Sequence, residues 1–247
     1  MKTLSFVLAI LISCAAALPA GADTCLKQKR HMDEYYYGGT ITPEENTDIE
    51  VWLGGKKMAY ITPTQYIVVD LGNNALLFGN KRDSTYVETK LPFDWNDVLD
   101  EGTAEMLAQY RTEGVVKESG EARNIQGHNC KGYLVETWIE SPEGERFNER
   151  IETVWMTTGL AIDWEAYGKI GENAMKLQNY DEALVAAFSA FEGYPLLIDS
   201  DVYMKGFSVK SVEETVEIIE AQPETDVYSL PTYFTRKDKL TMADLRG

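Results

Sequence analysis

Histidine, cysteine and basic side chains are all scarce in this sequence of 247 residues. The two His stand at 31 and 128. Neither has a second His, or a Cys and carboxylate set, at ligand spacing. His128 and Cys130 alone do not make a tetrahedral metal site. There is no Gly-x-Ser-x-Gly elbow, no phosphate-cradling Gly-rich loop and no His-Glu-x-x-His pair. The sequence therefore offers no nucleophile–base pair, and no catalytic residue, metal or cofactor is expected. The acidic group Asp94, Asp97, Asp100 and Glu101 lacks the Gly and the ligand order of a calcium loop. It reads as helix capping and solvation. The stretch Ala174–Phe188 matches half of a tetratricopeptide repeat, but no second copy exists and a solenoid needs at least three.

Basic residues are outnumbered, 23 Lys and Arg against 40 Asp and Glu, for a net charge of −17. Such a surface repels nucleic acid and anionic head groups and keeps a protein in solution. No nucleic-acid partner is expected. A hydrophobic fraction of 44% with 14 Tyr argues against disorder.

The one long apolar run is at the start. Lys2 supplies a positive charge, Leu4 to Leu18 are almost wholly apolar, and Pro19 breaks the run before Ala20-Gly21-Ala22. About 15 residues fall short of the roughly 20 that span a bilayer as a helix. Small residues flanking a cleavage point fit a secretory signal peptide over residues 1–22. The mature chain then starts at Asp23, with 225 residues and, without Lys2, a net charge of −18. That is enough for a single domain, 23–247, with a full core. No transmembrane segment is expected in it. The same stretch has a second reading: Leu11-Ile12-Ser13-Cys14 looks like a lipobox, whose Cys would carry a lipid anchor.

Cleavage after Ala22 leaves two of the three Cys, at 25 and 130. An even count in an oxidising compartment suggests one disulfide, Cys25–Cys130. Closing a loop of about 105 residues would stabilise by roughly 4–5 kcal/mol. The alternative is two separate buried thiols.

The rest of the chain reads mostly as short alternating runs. Cys25 to Tyr37 opens as a strand, ended by Gly38-Gly39 and the polar stretch 42–48. Asp48–Leu53 and Lys57–Ile61 flank Gly54-Gly55, a hairpin signal. Gln65–Leu71, Ala75–Asn80 and Ser84–Leu91 continue a meander of antiparallel hairpins. At Pro92-Phe93-Asp94-Trp95 the period changes to helical, with Asp94 as cap. One or two short helices are expected between 94 and 112. Val115–Ile125, Cys130–Glu140 and Arg146–Thr157 are strands again. Asp163 to Phe191 is helical by pattern, and Tyr194–Lys205 and Phe207–Glu220 are strands. No strand–helix–strand unit recurs, which excludes a doubly wound parallel sheet. The fold class expected is α+β: one strongly curved antiparallel sheet, an incomplete barrel, with helices covering its concave face.

Laid out in this way, the strands resemble those of the LolA/LolB-like lipoprotein-carrier superfamily, and among them its uncharacterised exported members. The resemblance is carried by Ile49–Ile61, Tyr66–Leu71, Leu76–Asn80 and Thr85–Glu88. Gly193-Tyr194-Pro195, the strand ending near Glu220, and Val227–Tyr233 extend it. The stretch Ile125-Gln-Gly127-His-Asn-Cys130-Lys-Gly-Tyr133 matches an Ile-x-Gly-x-x-Cys-x-x-Tyr pattern. The resemblance implies a half-barrel with a helical lid over an apolar cavity, which carriers use to shield acyl chains, and no catalytic residues. With the leader and the two Cys, it points to the periplasm.

Burying an acyl chain gains about 0.8 kcal/mol per CH₂, so an apolar concavity suffices to hold a lipid. The bulky residues that could line one are Trp52, Met58, Tyr66, Trp95, Met106, Trp138, Trp155 and Trp164. Each is equally readable as ordinary core. Two functions follow. One is a periplasmic, non-enzymatic binding protein holding a lipid, an acyl chain or another apolar ligand. The other is a cell-envelope interaction module with a fully packed core, whose partner is an envelope protein.

Overall fold

A computed structural model of the chain describes residues 22–141, 144–204, 206–223, 226–241 and 244. The leader up to residue 21, including Cys14, lies outside the described residues.

Alternation of apolar and polar residues builds two meanders. The first comprises β4 (Glu45–Gly54), β5 (Lys57–Ile61), β6 (Gln65–Asp70), β7 (Ala75–Asn80) and β8 (Thr85–Lys90). The second comprises β9 (Thr112–Ile125), β10 (His128–Glu140), β11 (Arg146–Thr157), β12 (Tyr194–Met204) and β13 (Phe207–Ala221). The first strand, β1 (Asp23–Met32), pairs antiparallel with β4 on one side and β13 on the other, and so joins the two halves. With β14 (Thr235–Arg236) the sheet has twelve strands, in the order β14-β8-β7-β6-β5-β4-β1-β13-β12-β11-β10-β9. Only β14 runs parallel to its neighbour, β8. The sheet is curved and antiparallel and does not close into a barrel. β2 (Tyr35–Tyr37) and β3 (Thr40–Thr42) form a separate hairpin.

Four helices pack on one face, the concave one: α1 (Trp95–Val98), α2 (Glu101–Ala108), α3 (Trp164–Leu177) and α4 (Glu182–Ser189). Each begins at an Asp whose side chain accepts a backbone N–H of the first turn: Asp94, Asp100, Asp163 and Asp181. Each such cap contributes about 1 kcal/mol. The α1, α2 and α3 side chains Val98, Ala104 and Ile170 pack with Val69, Leu76, Phe78 and Val87 of the first meander. Phe188 of α4 and the following Phe191 pack on Tyr133, Val135 and Val154 of the second. Cross-strand pairs Val154–Ile198, Ile198–Glu213 and Glu213–Arg30 show that this is the same sheet face. None of the described helices is long and apolar enough to cross a membrane.

The opposite face of the first meander carries Trp52, Ala59, Tyr66, Val68 and Leu77, and the C-terminal segment covers it with Tyr228 and Leu230.

Four sequence expectations are corrected. The first strand ends at Met32, and Tyr35–Tyr37 belongs to the separate hairpin. Strand β4 starts at Glu45, inside the polar stretch expected to be a break, because its polar half pairs with the solvated end of β1. The helix expected over 163–191 is two, parted at Asn179, whose φ is +57°; that left-handed conformation cannot continue a helix. Finally, Cys25 and Cys130 are not joined: both are buried free thiols. Three strands separate β1 from β10, about 19 Å across the sheet at ~4.8 Å per strand. A disulfide needs Cα atoms within about 7 Å.

Candidate functional site

A cleft of about 840 Å³ lies between the α1–α2 pair and the α3–α4 pair. Small residues on two amphipathic helices create it. Ala104, Leu107 and Ala108 of α2 face Val185, Ala186 and Ala190 in and after α4, and short side chains keep the walls apart. Phe93 and Trp95 close one end. Their rings meet edge to face at 4.9 Å, and the Trp95 indole Nε1 donates to the Lys176 carbonyl at 3.1 Å. That bond ties the indole of α1 to α3. Phe93 is tied in turn: its backbone N–H donates to Asn173 Oδ1 at 2.8 Å, and Asn173 Nδ2 donates to the Lys169 carbonyl.

The other end is polar. Asn179 Nδ2 donates to the carbonyls of Leu107 and Tyr110, at 3.1 and 2.9 Å. These carbonyls lie at and just past the end of α2, that of Leu107 also accepting the Tyr110 N–H, and the contact joins that end to the α3–α4 turn. Tyr180 stacks on Phe188 at 5.8 Å, and burial pushes its phenol up to about 12. Arg111, Lys176, Glu172 and Glu182 also line the cleft, beside the capping carboxylates Asp94 and Asp181. The lining thus combines apolar side chains with charged groups of both signs. Such a cleft suits a ligand with an apolar body, and its volume falls within the usual range of about 300–1,000 Å³ for small-molecule sites.

The eight aromatic and Met residues singled out in the sequence do not meet in one cavity. Trp95 lines the cleft. Met58 packs into the core between the two larger clusters of the helix face. Trp164 packs edge to face on Tyr167 at 5.7 Å in the same layer. Trp155 is buried in the core with Arg123 over its ring. Trp52 and Tyr66 lie on the opposite face beneath the C-terminal segment. Tyr66 donates to the Val227 carbonyl at 2.8 Å, and burial pushes its phenol up to about 12. Met106 is exposed on α2. The Trp138 ring carries the Arg146 guanidinium at 3.8 Å, and its buried Nε1 has no hydrogen-bond partner among the described residues. The sequence reading passed over the small residues Ala104, Ala108, Ala186 and Ala190. Their signal was there, as alanines repeating at helical spacing on two facing helices, but size alone marks no side chain as a ligand contact.

The fold and the cleft together define a class: an open antiparallel half-barrel whose helical layer is split by a side cleft. No family model matches the chain, and no curated protein matches it. Among solved structures it is similar to a putative outer membrane lipoprotein-sorting protein domain from Vibrio parahaemolyticus. The identity is 8% and the TM-score 0.30, over 83% of this chain and 88% of that one. It is also similar to a DUF1329 family protein from Desulfovibrio piger, again at 8% identity and a TM-score of 0.30, over 86% of this chain and 91% of that one.

Proposed function

We propose that this is an exported, non-enzymatic binding protein, a single domain after loss of the leader, that holds a lipid acyl chain or a similar apolar ligand in the helical cleft. The cleft carries the reading, because Ala104, Leu107, Ala108, Val185, Ala186 and Trp95 all line it. The leader-like start and the acidic charge support a periplasmic setting. A chain of several methylenes laid along those side chains would gain about 0.8 kcal/mol for each one buried. No proton transfer or nucleophile is needed for that task.

The test is binding of a fluorescent fatty acid to purified mature protein, against the single substitutions Ala108→Trp and Ala186→Trp. Both alanines are exposed and line the cleft, so a larger side chain fills space without entering the core. Saturable binding that each substitution weakens at least tenfold is expected. Equal binding by all three proteins would place the ligand elsewhere. No binding at all would favour the envelope interaction module.

A further inference from the structure

The C-terminal segment takes an unusual path. It crosses the outer face of the first meander, turns around the β8 edge and finishes on the helix side. On the outer face the Tyr228 hydroxyl donates to Asp23 Oδ2 at 2.7 Å, and Leu230 and Phe234 lie over Gly79. A Cβ at Gly79 would sit 3.0 Å from Leu230 and 3.1 Å from Phe234; one at Gly54 would run into the Tyr228 hydroxyl. Two glycines thus make the notches in which the segment lies. At the edge, Thr235 and Arg236 pair with Thr85 and Tyr86 of β8, and Arg236 pairs with Glu88 at 3.1 Å.

Beyond the edge it grips the cleft wall. The Leu240 N–H donates to the Val98 carbonyl at 2.7 Å, and its side chain is buried with Val98 and Leu99. Lys239 Nζ donates to the carbonyls of Asn96 and Asp97, at 3.2 and 3.0 Å, a favourable place for a cation beside the open carbonyls of a helix end. The wall so gripped has little hold of its own. α1 is four residues long and α2 buries only Ala104, and helices this short are marginal without tertiary contacts. The α2 end is held by Asn179; the α1 end is held by the Trp95–Lys176 bond and by the segment.

We propose that Asp226–Leu240 is a clamp that sets the width of the cleft, so that its release lets the α1–α2 wall swing about the Asn179 contact. Its use in controlling binding rests on the cleft being the ligand site; its effect on the wall does not. Spin labels at Ala108→Cys and Ala186→Cys report the gap, because the two native thiols are buried and do not compete. The variants are Lys239→Ala with Leu240→Ala on the helix side, and Gly79→Val on the opposite face. Trypsin cleavage after Arg236 and Lys237, sites that every variant keeps, measures release.

In both variants the segment should cleave faster, and the label distance should broaden and lengthen by at least about 2 Å, the scale of helix shifts between packed states. A released segment with an unchanged distance overturns the clamp. Should a variant lose its cooperative melt, Lys239→Ala alone repeats the test at an exposed side chain. Fatty-acid binding to the unlabelled parent, with Ala108 and Ala186 intact, is measured alongside. If it fails while the gap still widens, the ligand reading falls and the clamp stands; if it holds while the gap does not move, the reverse is true.

Discussion

Glycine and asparagine decide more at single positions than any of the large aromatics. Gly79→Val must push Leu230 and Phe234 off the sheet, and overpacking of this kind costs about 1–3 kcal/mol. A thermal melt should show the loss, and a melting point equal to the parent's would mean that the segment does not lie there. Asn179 combines a left-handed backbone with two side-chain bonds to the end of α2. Replacing it by Ala forfeits both and strains the backbone, for roughly 2 kcal/mol in total. Glycine should recover only the backbone part. Trp138→Phe runs the other way: it deletes a buried N–H that has no partner among the described residues. The chemical denaturation midpoint should hold or rise, and a fall of more than about 1 kcal/mol would reveal a bond to that nitrogen. The cysteines supply a cleaner contrast. Two free thiols imply that a reducing agent leaves the melting point unchanged and that Ellman's reagent counts both after denaturation; a reagent-silent denatured chain would restore the expected disulfide.

Among the elements, what was legible followed from period. Strands β4 to β13 each alternate or carry β-branched and aromatic runs, and their hairpin turns are marked by Gly55 and Asn74 at positive φ. Asp94 was legible as a cap because capping is a local event. The α3–α4 break was not, since Asn179 gains its left-handed conformation from contacts with α2, far along the chain. The insertion of β1 between β4 and β13 was equally hidden, because pairing across the whole sequence leaves no local pattern. The end of the clamp is sensitive to acid. Burial alone would raise the Asp244 carboxyl, but the Lys237 ammonium, the Thr241 N–H and hydroxyl and the Asn80 amide outweigh it and hold it at about 2. A depressed folded value means that the stabilisation is complete above the ordinary carboxyl range and fades as pH falls through about 4 towards 2. The hydrogen-exchange protection factor at Thr241, measured against the intrinsic rate at each pH, should therefore fall in acid in the parent, and less so in Asp244→Asn. Acid-independent protection would count against the anchor.

For the whole molecule, the sequence indicated a half-barrel with an apolar interior, and the half-barrel is what folds. The eight bulky residues do not gather around one cavity. The two meanders and the helices consume Trp155, Trp164 and Met58 as core, and the room lies between two helix pairs that meet through small side chains. Residue type predicts burial well, because transfer from water depends on the side chain alone. It predicts emptiness poorly, because a gap depends on what faces what. The central claim is that this gap holds an apolar chain. An NMR titration of the mature protein with palmitate tests it most directly. The Trp95 indole N–H and the amides of Leu107, Ala108, Val185 and Ala186 should shift together and saturate at one ligand per chain. Shifts confined to Trp52 and Tyr66 on the opposite face, or none at all, would contradict it.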